Sequence, residues 1–417
     1  MKHNIPSVSP LILAAAMSVA CLSPLQSSDW PQWRGPDRNE VSPETGLLKA
    51  WPEGGPEREW VFREAGLGYS SPAVVGDRLY VLGARGPEEY LIALDVSGPR
   101  ELWATSIGVF LNNSWGDGPR STPTVDGDRV YALGGRGDLI CVDTADGRVV
   151  WRKAMRSLGG EVPNWGYAES ILVDGDRVVC TPGGSDGSIV ALNKETGDVI
   201  WQSEGLTDSA HYSSVIAADV HGERQYIQLF EKRLAGVAAA DGSLRWQVDW
   251  PGRTAVIPTP VFHENHVYVT SGYDVGCMLV RIDPGNEVSR VYRNNVMENH
   301  HGGVVLLEGH IYGYSDSEGW TCQNFMTGEA VWSERGALGK GPLTYADGRL
   351  YCLEENSGTM VLAEASTSGW EEHGRFKLEA QSDRRSPRGK IWTHPVISGG
   401  RLYLRDQELI SRYVLKP

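Results

Sequence analysis

The chain has 417 residues, with 50 Gly, 23 Pro, 15 Trp and 16 Tyr against only 6 Phe. A Gly share of about 12% without a Gly-X-Y period excludes collagen, and 41% hydrophobic residues exclude a disordered chain. With 53 Asp plus Glu against 39 Lys plus Arg, the net charge of −14 argues against nucleic acid or an anionic lipid surface as the main partner.

In chain order, the first element is an export signal. Lys2 and His3 precede an apolar run over residues 11–20, which closes on the small-x-small triplet Ser18-Val19-Ala20. The run is too short to span a bilayer and reads as a signal peptide over 1–20. Cys21 follows directly and is a candidate for lipidation. The mature protein is therefore expected in the periplasm, either free or anchored at the outer membrane. Residues 21–57 read as an N-terminal strap. Within it, the aromatic, Pro-bounded stretch 29–36 (DWPQWRGP) suits a strap packed across the fold or a lid over its mouth.

A repeat occupies the rest. A turn followed by a short apolar strand recurs at Arg78, Arg129, Arg177, Arg224, His266, His310, Arg349 and Arg401, spaced 51, 48, 47, 42, 44, 39 and 52 residues apart. In five copies a second signature follows. Asp95, Asp143, Asn193, Ala238 and Asn324 lie eight residues before Trp103, Trp151, Trp201, Trp246 and Trp332, with Gly98, Gly147, Gly197, Gly242 and Gly328 between them. Copy five has Val291 and Tyr292 in the Trp place, and copy seven uses Phe376.

Each copy holds four short strands, too few to bury both faces alone, so the copies must stack and close into a ring. The reading is all-β: residues 58–417 form a single eight-bladed β-propeller of four antiparallel strands per blade. The Trp residues dock neighbouring blades. The last copy has room for three strands, and residues 58–63 (REWVFR) are expected to supply its fourth as an N-terminal clasp.

These motifs resemble the quinoprotein-type (PQQ) repeat, in which Ala-x-Asp-x-x-Thr-Gly-x-x-x-Trp recurs as a docking motif. Ala191-Leu-Asn193-Lys-Glu-Thr196-Gly197-Asp-Val-Ile-Trp201 is close to a full match. The resemblance implies the eight-bladed fold. That family holds PQQ-dependent alcohol and glucose dehydrogenases and also proteins that bind no quinone, such as the outer-membrane assembly lipoprotein BamB. The alcohol-type dehydrogenases carry a vicinal Cys-Cys disulfide, a Ca²⁺ held by Glu, Asn and Asp, and an Asp base. Here no two Cys are adjacent and no Ca²⁺ triad can be placed, although Lys340 is a candidate contact to a quinone oxygen.

In a propeller, the loops from one blade's outer strand to the next blade's inner strand gather around the channel mouth. They offer Tyr69, Trp115, Arg120, Trp165, Tyr167, His211, Tyr212, Arg253, His300, His301, Lys340, Lys390, Trp392 and His394, with Asp406 from a hairpin of blade eight. These are the candidate ligand-binding residues. Cations and rings in an acidic chain suit an anionic or polyhydroxyl ligand, or a protein partner. No metal site is expected at His300 and His301, since adjacent strand residues point to opposite faces.

Cys141 and Cys180, and likewise Cys322 and Cys352, fall on equivalent strands of consecutive blades; either disulfides or facing buried thiols fit that placement. The functional expectation is a non-catalytic binding or assembly scaffold that uses the mouth face and has no cofactor. The alternatives are a PQQ-dependent dehydrogenase with PQQ and Ca²⁺, and a carbohydrate-binding propeller.

Overall fold

The computed structural model describes Met1 and residues 29–416. The signal peptide and Cys21 readings therefore lie outside the described residues. The architecture is an eight-bladed β-propeller of four antiparallel strands per blade. Blade one holds Ala73–Val75, Arg78–Arg85, Glu88–Asp95 and Arg100–Val109, ordered outward from the channel. Blades two to seven repeat this over 124–154, 172–202, 216–249, 261–294, 304–334 and 343–377. Blade eight has Val396–Ser398, Arg401–Asp406 and Leu409–Val414 from the C-terminal end. Its outermost strand is Arg58–Phe62, antiparallel to Leu409–Val414, so the expected clasp is present.

One local device aims the docking rings. In blades one to six and in blade eight, the outer strand skips one residue of register just before its ring: Leu102, Ile200 and Glu59 are examples. Such a bulge bends the strand and turns the next side chain toward its neighbour. The indole then donates to the backbone of the following blade. Trp103 reaches Thr144 O at 3.1 Å, Trp151 reaches Lys194 O at 2.8 Å and Trp201 reaches Ala239 O at 3.0 Å. Trp60 of the clasp reaches Val96 O at 3.1 Å, which joins blade eight to blade one. In blade five the register selects Tyr292 over Val291, and its hydroxyl donates to Phe325 O at 2.9 Å.

Trp246 departs and donates within its own blade, to Gln225 Oε1 at 2.8 Å. At the seven–eight interface Phe376 packs with Trp51, which the N-terminal segment supplies (5.2 Å between ring centroids). The buried core is divided accordingly, each cluster straddling two consecutive blades. The five described cysteines are buried free thiols. Cys141 and Cys180 share one such cluster, and Cys322 and Cys352 another. Burial pushes Cys141 up to about 12 and Cys322 up to about 11, so these thiols are packing groups. No helix among the described residues is long and apolar enough to cross a membrane.

Residues 46–57 run along blades seven and eight, with Leu48 N donating to Leu415 O and Trp51 N to His373 O at 2.8 Å. The stretch 29–36 is neither a strap across the ring nor a lid over its mouth: it enters the channel. Asp29 Oδ1 accepts from Gly76 N (2.9 Å) at the inner hairpin, on the face opposite the mouth, and Trp30 bridges Val74 one step further in. Pro31 O accepts from Val125 N at 2.8 Å. The chain reverses around Arg34 and Gly35 (φ 63° and 82°), with further left-handed residues at Arg38 and Glu40. It then returns, pairing Val41–Ser42 in parallel with Tyr345 and Ala346. Buried arginines hold it: Arg34 donates to Val304 O, and Arg38 donates to Ser170 O at 2.6 Å and Ile171 O at 3.0 Å. Residues 29–45 thus form a plug that touches the inner strands or their approaches in seven of the eight blades.

Candidate functional site

The loops gathered at the mouth enclose a cavity of about 460 Å³ above the tip of the plug. Eight of the expected residues line it: Arg120, Trp165, Tyr212, His300, His301, Lys340, Trp392 and His394. Tyr69, Trp115 and Lys390, also read from the mouth loops, line it too.

Four expected residues are placed elsewhere. Tyr167 is buried between blades two and three, donating to Glu161 O and Pro182 O at 3.0 Å. Gly166 in the left-handed region turns the chain between it and Trp165, so one ring faces the mouth and the other the core. His211 stands behind the wall: its Nδ1 accepts from Val256 N at 3.0 Å, and its ring packs on Tyr212. Burial holds that imidazole below the usual histidine range, and so neutral. Arg253 is exposed outside the cavity. Asp406 is buried under the loop of residues 380–390, accepting from Ser382 N at 2.8 Å and paired with Arg385 at 3.2 Å. A general-base role at the cavity is thereby removed from Asp406.

The cavity also gathers residues that the sequence reading did not place there: Trp33 at the plug tip, Tyr273, Glu355 and Arg388. Trp33 forms the floor. Its indole donates to Thr259 Oγ1 at 3.0 Å and its ring meets His394 at 4.5 Å. Glu40, on the returning limb of the plug, fixes both ends of that contact. Its carboxylate accepts from Arg34 Nε at 3.0 Å and Thr344 Oγ1 at 3.1 Å, and pairs with His394 Nδ1 at 3.1 Å.

One wall is a chain of titratable groups tied to one another. Lys340 Nζ lies 2.6 Å from Asp316 and 2.8 Å from His300 Nδ1. With the ammonium donating to Nδ1, the His300 proton sits on Nε2. Burial, and then Lys340, hold His300 down at about 3. His301 stacks on His300 (3.8 Å) and on Trp392 (4.5 Å, 18° between planes), and burial keeps it well below the usual range. Trp392 Nε1 donates to Glu355 at 3.1 Å. Burial pushes Glu355 up to about 7, opposed by Lys340.

Around the same cavity two cations lie over rings. Arg120 sits 5.4 Å over Tyr69 and donates to Gly116 O and Gly118 O at 2.8 and 2.6 Å, and Arg388 sits 5.6 Å over Trp115. Among the described residues no carboxylate comes within 4.0 Å of Arg120, Arg388 or Lys390. The described side chains that best converge as metal ligands, Glu364, Glu371 and His373, lie on the outer strands of blade seven, away from the mouth.

With this geometry in place, comparison with known proteins supplies a family. Residues 87–334 match the family described as outer membrane protein assembly factor BamB. The chain belongs to that family. BamB of Burkholderia pseudomallei is 25% identical over 290 residues, which cover 60% of this chain and 71% of that one. BamB of Kangiella koreensis is 30% identical over 161 residues, covering 37% of this chain and 35% of that one. Among solved structures, BamB from Moraxella catarrhalis superposes with a TM-score of 0.61 at 15% identity, over 86% of this chain and 98% of that one. The structural likeness concerns the fold: the same ring of blades carried by a different sequence.

Proposed function

We propose that this chain acts in the periplasm as a non-catalytic assembly scaffold of the BamB kind, presenting its mouth face to a protein partner in outer-membrane assembly. Family membership supports the scaffold class. The single observation that carries the non-catalytic reading is that three titratable groups of the cavity wall are each held by a neighbour. Lys340 is held by Asp316 and His300, Glu355 by Trp392, and His394 by Glu40 and the His301 carbonyl. No nucleophile–base pair stands free among them, which is what acyl transfer or proton abstraction requires.

The residues present do not suit a Ca²⁺-assisted quinone. Calcium takes six to eight oxygen ligands, whereas the described cavity wall offers one carboxylate, Glu355, already bound to an indole.

The test is genetic and chemical. Deleting the gene should lower the outer-membrane protein content of the source bacterium. The wild-type chain should restore it, while a triple variant His300→Ala, Lys340→Ala, Trp392→Ala should not. Purified protein given PQQ, Ca²⁺, an alcohol or sugar and a redox dye should show no turnover. Normal outer-membrane content in the deletion strain, or dye reduction above background, overturns the proposal.

A further inference from the structure

We propose that the mouth cavity is a binding site for a small aromatic acid, with Trp33 as its floor and Arg120, Arg388 and Lys390 as its counter-charges. This rests on the reading of the mouth as the binding face, and it chooses among the ligands that such a face could take.

Shape comes first. The plug closes the channel below Trp33, leaving a blind cavity of about 460 Å³. That lies within the range of small-molecule pockets, roughly 300–1,000 Å³, and is too small for a folded surface to enter.

The rings come next. Four of them have a polar atom already tied to the protein. Trp33 Nε1 donates to Thr259, the Tyr69 hydroxyl to Trp115 O at 3.1 Å, and Trp392 Nε1 to Glu355. The Tyr212 hydroxyl accepts from Trp165 N at 3.4 Å. What these rings retain for a ligand is their apolar faces. A polyol laid on these four faces would lose water from its hydroxyls without new hydrogen bonds there. A flat unsaturated body loses nothing of the kind and gains ring contact. These faces therefore favour a flat ring over a polyhydroxyl ligand.

Charge completes the case. In a chain of net charge −14, three cations line one cavity without a carboxylate within 4.0 Å among the described residues. Two of them already lie over rings, Arg120 over Tyr69 and Arg388 over Trp115. A ligand that brings a ring and an acidic group together meets both features at once.

Isothermal titration of the purified chain tests this with three probes. Naphthalene-1-acetate carries ring and charge, naphthalene-1-acetamide the ring alone, and glucuronate the charge on a polyol. The acetate is expected to bind about ten-fold or more tighter than the amide, a gap of about 1.4 kcal/mol, with no heat from glucuronate. Arg388 is exposed, so Arg388→Gln should leave the melting temperature unchanged and narrow the gap between acid and amide. Trp33→Ala should weaken both.

Equal affinity for acid and amide, tighter binding of glucuronate, or an Arg388→Gln protein that separates acid from amide as widely as the wild type overturns the assignment; so does the absence of acetate binding at millimolar concentration. Those results with outer-membrane protein levels still dependent on the chain overturn the ligand alone. Acid binding in a chain whose deletion leaves outer-membrane content normal overturns the scaffold alone.

Discussion

At the scale of single residues, the mouth shows how burial sets charge. His300 and His301 stand beside Lys340, and burial together with that ammonium keeps both rings neutral across the physiological range. Glu355 is the group that changes. It sits at about 7 because burial disfavours its anion more than Lys340 favours it, with Asp316 and Glu354 adding repulsion. Below that value the carboxyl takes up a proton, and the cavity loses its one negative wall group. An acidic ligand must therefore bind more tightly as pH falls through 7, as long as its own carboxylate stays ionised. Between pH 8 and pH 6 the dissociation constant of naphthalene-1-acetate should fall several-fold by titration calorimetry. In Glu355→Gln it should be flat and close to the low-pH value of the wild type. A constant that rises as pH falls would contradict the wall charges described. Glu355 was missed in the sequence because nothing in Leu353-Glu354-Glu355 sets it apart from a surface pair. Only the tertiary contact with Trp392 makes it part of the cavity.

At the scale of elements, the plug behaves unlike a repeat. Blades were legible because each repeats one pattern, so the Arg turn, the Gly and the Trp corroborate one another across copies. The stretch 29–36 occurs once, and its aromatic and Pro content fits a strap, a lid or a plug alike. Its place in the channel depends on contacts with seven blades that no local pattern encodes. The same limit misplaced Tyr167, since Gly166 flips the residue order that a mouth loop suggests. Blade five shows the reverse case. Val291 and Tyr292 were equivalent in sequence, and the one-residue bulge decided for Tyr292. Holding the plug falls to few groups. Glu40 is 1% exposed and binds Arg34, itself 2% exposed, with His394 and Thr344. Glu40→Ala would leave a buried guanidinium without its counter-ion, a change that typically costs about 3–5 kcal/mol. The expected result in urea unfolding is a loss of that size, with weaker binding of both naphthalene probes because Trp33 is no longer held against His394. A loss under about 1 kcal/mol, the range of an exposed pair, would mean that the triad does not anchor the plug.

At the scale of the whole molecule, closure decides whether eight marginal blades act as one body. A blade presents an apolar face on each side, and every interface cluster draws on two blades, so an open ring would expose two such faces at once. The chain closes by returning to its start. Arg58, Trp60, Val61 and Phe62 pair with Tyr413, Arg412, Ser411 and Ile410, and Trp60 crosses to Val96 in blade one. This clasp was legible because the last copy is one strand short and 58–63 is one strand without a partner. Removing residues 58–63 would strip the outer strand from blade eight and the indole from the junction with blade one. It would also leave Leu409–Val414 as an unpaired edge. Loss of the single cooperative melting transition is the expected outcome by calorimetry, with concentration-dependent association seen by light scattering. Ala145 is exposed, so Ala145→Ser should leave the transition in place. If the clasp-deleted chain still melted in one unshifted step, stability would reside in the individual blades, and closure would be a consequence of stacking rather than its condition.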